Sequence, residues 1–109
     1  MNYKVIPTPE FIKNLKALKK RYKNIKNDVL ELANKLEKNP TMGTELGNNT
    51  FKIRVKNSDN NKGKSAGYRI ITYCINKQNE LFMVTIYSKS KKENILDLEL
   101  KDLIARLDS

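Results

Sequence analysis

A chain of 109 residues, 39% of them hydrophobic, holds apolar material for one core and not two, so a single domain over 1–109 is expected. A formal net charge of +10 favours anionic partners and fast encounter with them, without bearing on fold. The lack of histidine excludes imidazole acid–base chemistry, and a single cysteine, Cys74, excludes an internal disulfide and points to a small buried hydrophobe in a reducing compartment.

Tyr3-Lys4-Val5-Ile6 reads as a short strand that Pro7 ends. Thr8 then stands as an N-cap, Pro9 as a first helical residue and Glu10 beside the positive end of the helix dipole. Phe11, Leu15, Leu18 and Tyr22 recur at helical spacing, with Lys13, Lys16, Lys19 and Lys20 on the rest of the circumference. A second amphipathic helix runs from about Asn24 to Lys38 on Ile25, Val29, Leu32 and Leu36, and Asn39-Pro40 stops it. Residues 41–50 contain two glycines and two consecutive asparagines and read as a loop.

Three strands follow, at 51–56, 67–75 and 81–88. The connection 57–66 is polar, lysine-rich and too long for a tight turn, whereas 76–80 suits an ordinary hairpin. Leu96, Leu100, Leu103 and Leu107 mark a closing helix. The order βααβββα implies an α+β fold: a mainly antiparallel four-stranded sheet, two N-terminal helices on one face and a C-terminal helix. No stretch suggests a transmembrane span, a secretory signal, a zinc cluster or a calcium loop, so a cytoplasmic protein without metal or cofactor is expected.

The charge is uneven. Residues 50–92 carry ten Lys/Arg and two Asp/Glu, whereas 93–109 carry two and five. In Phe51-Lys52-Ile53-Arg54-Val55-Lys56 the period of two puts the cations on one face and the apolar residues on the other. The simplest assignment sends Phe51, Ile53, Val55, Ile70 and the set Phe82, Val84, Ile86 toward the helices. Lys52, Arg54, Arg69, Tyr73 and Tyr87 then look outward together on an open face. Each cation alone is explained by a solvated sheet face, and the lysines of the first helix by a solvated helix face. The convergence of three strands on one cationic, tyrosine-bearing face is what points to a polyanion.

Three segments carry a resemblance: Phe51 to Val55, the run KGKSAGYRIITY from Lys62 to Tyr73, and LFMVTIYSKS from Leu81 to Ser90. They resemble the RelE/ParE superfamily of toxins from bacterial type II toxin–antitoxin systems, and look most like its HigB branch. The resemblance implies a toxin that enters the ribosomal A site, cleaves messenger RNA there, and is neutralised by a cognate antitoxin. It matches Lys52 and Arg54 to the paired cations of the first central strand and Arg69 to the arginine of the next. The cation that follows the last strand in the family falls to Lys89 or Lys91. A family tyrosine on the C-terminal segment has no counterpart in 94–109, which leaves Tyr73 or Tyr87 for a related role.

RNA cleaves itself when its 2′-hydroxyl attacks the adjacent phosphorus. An enzyme must take a proton, hold the phosphorane and help the 5′-oxygen leave. Without histidine, Lys52 is the candidate base, since a lysine crowded by like charge gives up its proton more readily. Arg69, assisted by Arg54, suits bidentate phosphate binding. Lys89 is a candidate acid or phosphate clamp, and Tyr73 or Tyr87 a stacking platform. Lys56, Lys62, Lys64, Lys91 and Lys92 are candidate RNA contacts, and the lysines of the first helix candidate contacts with ribosomal RNA. The competing readings are a ParE-like poison of DNA gyrase, or a module that binds RNA or antitoxin without catalysis.

Overall fold

The computed structural model describes residues 2–59, 67–89 and 97–107. Its elements are β1 (Lys4–Pro7), α1 (Pro9–Lys19), α2 (Ile25–Lys38), β2 (Thr44–Gly47), β3 (Thr50–Val55), β4 (Tyr68–Ile75), β5 (Glu80–Ser88) and α3 (Asp97–Leu107), with a 3-10 turn at Asn76–Gln78. The fold is α+β, as expected. The sheet has five strands rather than four, in the order β1-β5-β4-β3-β2. Only β1–β5 is parallel; the other three pairings are antiparallel.

The extra strand is β2, inside the stretch read from sequence as a loop. Asn48 and Asn49 adopt φ of 51° and 61°, which makes the two-residue turn that joins antiparallel strands with the correct twist. Gly47 pairs with Thr50 across that turn. All four β2 residues are exposed, so the strand has no apolar alternation to announce it.

α1 begins as its sequence dictates. Thr8 Oγ1 accepts from the Phe11 N–H at 3.1 Å and donates to the Val84 carbonyl at 3.0 Å, which caps the helix and pins it to β5. Asn14 Nδ2 donates to Thr85 Oγ1 at 2.8 Å from the same helix. Phe11 and Leu18 of α1 and Ile25, Val29, Leu32 and Leu36 of α2 bury one face of the sheet. Ile53, Val55, Tyr68 and Ile70 meet them from β3 and β4, and Leu81, Met83 and Ile86 from β5. Cys74 is buried, as anticipated.

The β5 set corrects an expectation. Phe82 and Val84 do not face α1 and α2; they belong to a second cluster with Ile71, Tyr87 and Leu103 of α3, against which Tyr73, Leu100 and Ile104 pack. The cause is a β-bulge. Ile71 pairs with Thr85 but Thr72 pairs with Met83, so β5 carries one residue more than β4 at that point and its side-chain parity flips. The second face is therefore not an open one: α3 lies over its β4–β5 part. Among the described residues no helix is long and apolar enough to cross a membrane.

Candidate active site

The register decides which cations meet. β3 and β4 pair without interruption, with Arg54 opposite Arg69, Lys52 opposite Ile71 and Ile53 opposite Ile70. Arg69 in turn stands opposite Tyr87 on β5. Directly opposed residues share a face, with Cβ atoms about 4.5–5.5 Å apart. Arg54, Arg69 and Tyr87 thus form one row across three strands. Lys52 is two residues from Arg54 on the same face and diagonal to Arg69, roughly 7–8 Å away. The expected convergence of Lys52, Arg54 and Arg69 is present in the backbone.

Their exposure differs from expectation. Arg54 is exposed and Lys52 half-buried, but Arg69 is only 3% exposed. It lies on the central strand, between β3 and β5, so neighbours screen it on both sides. Its Nη1 donates to the Tyr68 carbonyl at 3.1 Å, which aims the guanidinium along the strand. A buried cation acts through a lower effective dielectric than a surface one, so its pull on an anion is larger. Tyr87 is also buried, at 9%, beneath α3.

Two residues named from sequence lie apart from this row. Tyr73 pairs with Thr50 and Phe82, four residues along β4 from Arg69, or about 13 Å at strand rise. It is half-buried against the α3 cluster. Lys56 is exposed just past the end of β3 and, with Arg54, lines a groove of ≈ 370 Å³ whose other wall is α2, with Asp28, Glu31 and Lys35. Lys89 follows β5 directly; its backbone N–H donates to the Gly67 carbonyl at 3.1 Å, close to the Tyr68–Ser88 pair. Lys62, Lys64, Lys91 and Lys92 lie outside the described residues.

The site end of β3 is anchored by groups that sequence reasoning did not single out. Asp59 accepts from the backbone N–H and the side-chain Nδ2 of Asn24, both at 3.0 Å. Asp28, in the first turn of α2, accepts from the N–H and Oγ of Ser58, both at 3.1 Å. Buried Asn57 accepts from the Asp59 N–H at 2.8 Å. The start of the 57–66 connection is thereby clamped to the N-terminus of α2. The one signal in the sequence was Asp28 at a position that favours an acid. At the other end of that connection, a Cβ on Gly67 would collide with the Val55 carbonyl oxygen, so only glycine lets β4 approach β3 there, two residues before Arg69.

Buried Tyr68 lies behind this face. Its hydroxyl has no hydrogen-bond partner among the described residues, and its ring meets Tyr22 edge-on, 5.5 Å between centroids. Burial pushes its phenol well above the usual tyrosine range, and the negative charges of Asp28 and Asp59 push the same way.

The comparisons with known proteins agree with this architecture. Residues 11–106 match the family model described as the RelE toxin of the RelE/RelB toxin–antitoxin system. Among solved structures, the chain is similar to an arginine-to-alanine double mutant of the Escherichia coli toxin RelE in the free state. The TM-score is 0.66 at 14% identity, over 97% of this chain and 98% of that one. No sequence among curated proteins matches significantly. A match that spans nearly the whole chain, on a fold of the same layout, places the protein: the chain belongs to the RelE toxin family.

Proposed function

We propose that this toxin is an endoribonuclease that cleaves messenger RNA on the ribosome and is held inactive by its cognate antitoxin. The observation that carries the reading is the row Arg54–Arg69–Tyr87 across three strands, with Lys52 diagonal to it on the same face. Two arginines directly opposite each other concentrate positive charge on one face. A phosphodiester is an anion suited to that charge, and the guanidinium fork binds its oxygens in pairs.

In this reading Lys52 takes the proton of the 2′-hydroxyl as its oxygen attacks phosphorus. The new O2′–P bond forms as the P–O5′ bond breaks, which leaves a 2′,3′-cyclic phosphate and a 5′-hydroxyl. Arg69, with Arg54, holds the non-bridging oxygens as charge builds on them. Lys89 protonates the departing 5′-oxygen or clamps the phosphate beside it. Register favours Tyr87 over Tyr73 as the tyrosine of the site, because only Tyr87 stands opposite Arg69. RNA approaches from the β3 side, over exposed Arg54 and half-buried Lys52, since α3 covers the β5 side.

These groups lack a histidine's ease of proton transfer, so positioning has to supply much of the rate. Alignment for attack is worth on the order of 7–11 kcal/mol in favourable cases. A messenger on the ribosome, held by codon pairing and by ribosomal RNA, arrives aligned, which is the physical reason to expect dependence on the ribosome. The test is to map the 5′ ends of transcripts in a purified translation system, with and without ribosomes. New ends at codon positions only when ribosomes are present are expected; intact transcripts under translation would overturn the proposal.

A further inference from the structure

The groove beside Arg54 has two unlike walls. On one side Asp28, Glu31, Leu32 and Lys35 recur at i, i+3, i+4 and i+7, a single stripe of α2. On the other, β3 offers apolar Ile53 and Val55, with exposed Arg54 and Lys56 beside them. Half-buried Met42 adds a thioether to the apolar part. The groove opens where β2 stops. Pairing with β2 reaches no further along β3 than Lys52, so Ile53 to Val55 pair with β4 alone among the described residues. Arg54 belongs to both places: it lines the groove and stands opposite Arg69 in the cation row. The two carboxylates of the α2 wall differ. Asp28 is committed, since its Oδ2 accepts from both donors of Ser58 at 3.1 Å. Glu31 is held loosely, by a 3.6 Å ion pair with Lys35 on side chains 72% and 61% exposed, and so yields readily to a ligand.

We propose that this groove holds one guanine nucleotide, the neighbour of the linkage gripped by Arg54 and Arg69, with Glu31 as the residue that reads its base. That the nucleotide belongs to a strand being cut rests on the proposed function. Charge complementarity selects a nucleotide. Arg54 and Lys56 on the strand wall meet its phosphate, and Glu31 on the helix wall meets its base edge. Leu32, Ile53 and Val55 give the ring faces an apolar bed, and the Met42 sulfur suits contact with an aromatic ring. A volume of ≈ 370 Å³ lies near the lower end for small-ligand clefts, which suits a single nucleotide. A peptide that added to the sheet edge here would find only Ile53 to Val55 to pair with, shorter than an ordinary strand. The carboxylate then selects the base. It accepts and never donates. Guanine offers it two adjacent donors, N1–H and the exocyclic amine, for a bidentate contact. Adenine and cytosine place a lone-pair nitrogen beside their amine, and uracil flanks its N–H with two carbonyl oxygens, so each sets an acceptor against Glu31.

The test has two arms on the full chain, native and Glu31→Gln; Glu31 is exposed, so the substitution spares the core. In the first arm methionine methyl groups are labelled with carbon-13 and the four nucleoside 5′-monophosphates are titrated in turn. Met42 lines the groove and reports on it, while Met83, 5% exposed in the core, is the reference. All four probes carry the same phosphate, so general attraction to a basic chain cancels and differences read the base. The Met42 signal is expected to shift with guanosine monophosphate at least about tenfold more tightly than with uridine monophosphate, and Glu31→Gln to bring the two within about threefold. In the second arm transcript ends are mapped in the purified translation system. Native protein is expected to cut at least about tenfold more often where guanine lies on one fixed side of the cut, a bias that Glu31→Gln removes. A Met42 signal that responds to guanosine monophosphate while transcripts stay intact defeats the cleavage reading and leaves the groove as a site for the free nucleotide. A Met42 signal silent to all four nucleotides overturns the site and returns the groove to a peptide. Equal response to all four, or a guanine bias that survives Glu31→Gln, overturns Glu31 as the reader of the base.

Discussion

The opposition of Arg54 and Arg69 makes a quantitative demand on catalysis. Replace each by glutamine, singly and together, and measure single-turnover cleavage on saturating ribosomes. One transition-state donor of this kind is worth about 2.7–4 kcal/mol, a loss of roughly 10²–10³ in rate. If the two arginines acted on separate groups, the double variant would lose the product of those factors, about 10⁴–10⁶. With Cβ atoms about 5 Å apart, the proposed function has both guanidinia on the same phosphate, so removal of one would already spoil what the other holds. The double variant is then expected to lose only about 10³–10⁴, a coupling of roughly 1–3 kcal/mol. Stability separates the two sites independently. Arg54 is exposed, so its replacement changes unfolding free energy by less than about 0.5 kcal/mol. Arg69 is buried and donates to the Tyr68 carbonyl, so Arg69→Gln costs about 1–3 kcal/mol. Strictly multiplicative rate losses, or a fully active Arg54→Gln enzyme, would refute the shared-phosphate geometry.

Two further outcomes follow from the packing. Gly67→Ala should destabilise the fold by about 2 kcal/mol or more, because the new methyl group meets backbone that cannot step aside. It should also reduce cleavage beyond that of an equally destabilised core variant, since it shifts the start of β4 two residues before Arg69; a Tm and rate equal to those of the native chain would contradict this. Tyr68→Phe should leave stability at neutral pH equal or up to about 1 kcal/mol higher, because it removes a buried hydroxyl that has no partner among the described residues. The phenol is raised in the folded state, so the stability tied to its protonated form is whole below the ordinary tyrosine value of 10.0 and is lost as pH climbs above it. Denaturant titrations from pH 8 to 11 should therefore show a fall in native stability that Tyr68→Phe makes shallower, and parallel curves would dismiss the effect.

Much of the fold is legible because local chemistry and burial agree. Thr8-Pro9-Glu10 specifies a helix start, and Ile25, Val29, Leu32 and Leu36 specify an inward stripe; the molecule uses both as read. β2 escapes because its residues are all exposed, so no period-2 signal exists, and its turn is Asn48-Asn49 rather than the stronger Asn-Gly. The shared face of Arg54 and Arg69 is legible because β3 and β4 pair without a break, so parity carries from one to the other. The burial of Arg69 is not, since it depends on β4 being central and on what lies over its neighbours.

The β5 bulge is the feature that ties fold to site. Tyr73 pairs with Phe82 and Arg69 with Tyr87, so the five residues 69–73 of β4 are matched by the six residues 82–87 of β5. Had the pairing at Tyr73 continued unbroken, Ile86 would stand opposite Arg69 and Tyr87 would point at α1 and α2. A core isoleucine would then occupy the cation row, and a tyrosine hydroxyl would be driven into the apolar layer with Ile70 and Leu36. The single extra residue satisfies both faces at once: it returns Ile86 to the core and delivers Tyr87 to the arginines. No pattern in Leu81 to Ser88 reveals this, because Phe82, Val84 and Ile86 alternate as cleanly as any uninterrupted strand. The information resides in the pairing with β4, where burial of Ile86 and burial of Phe82 compete for opposite sides and only an inserted residue lets both be met.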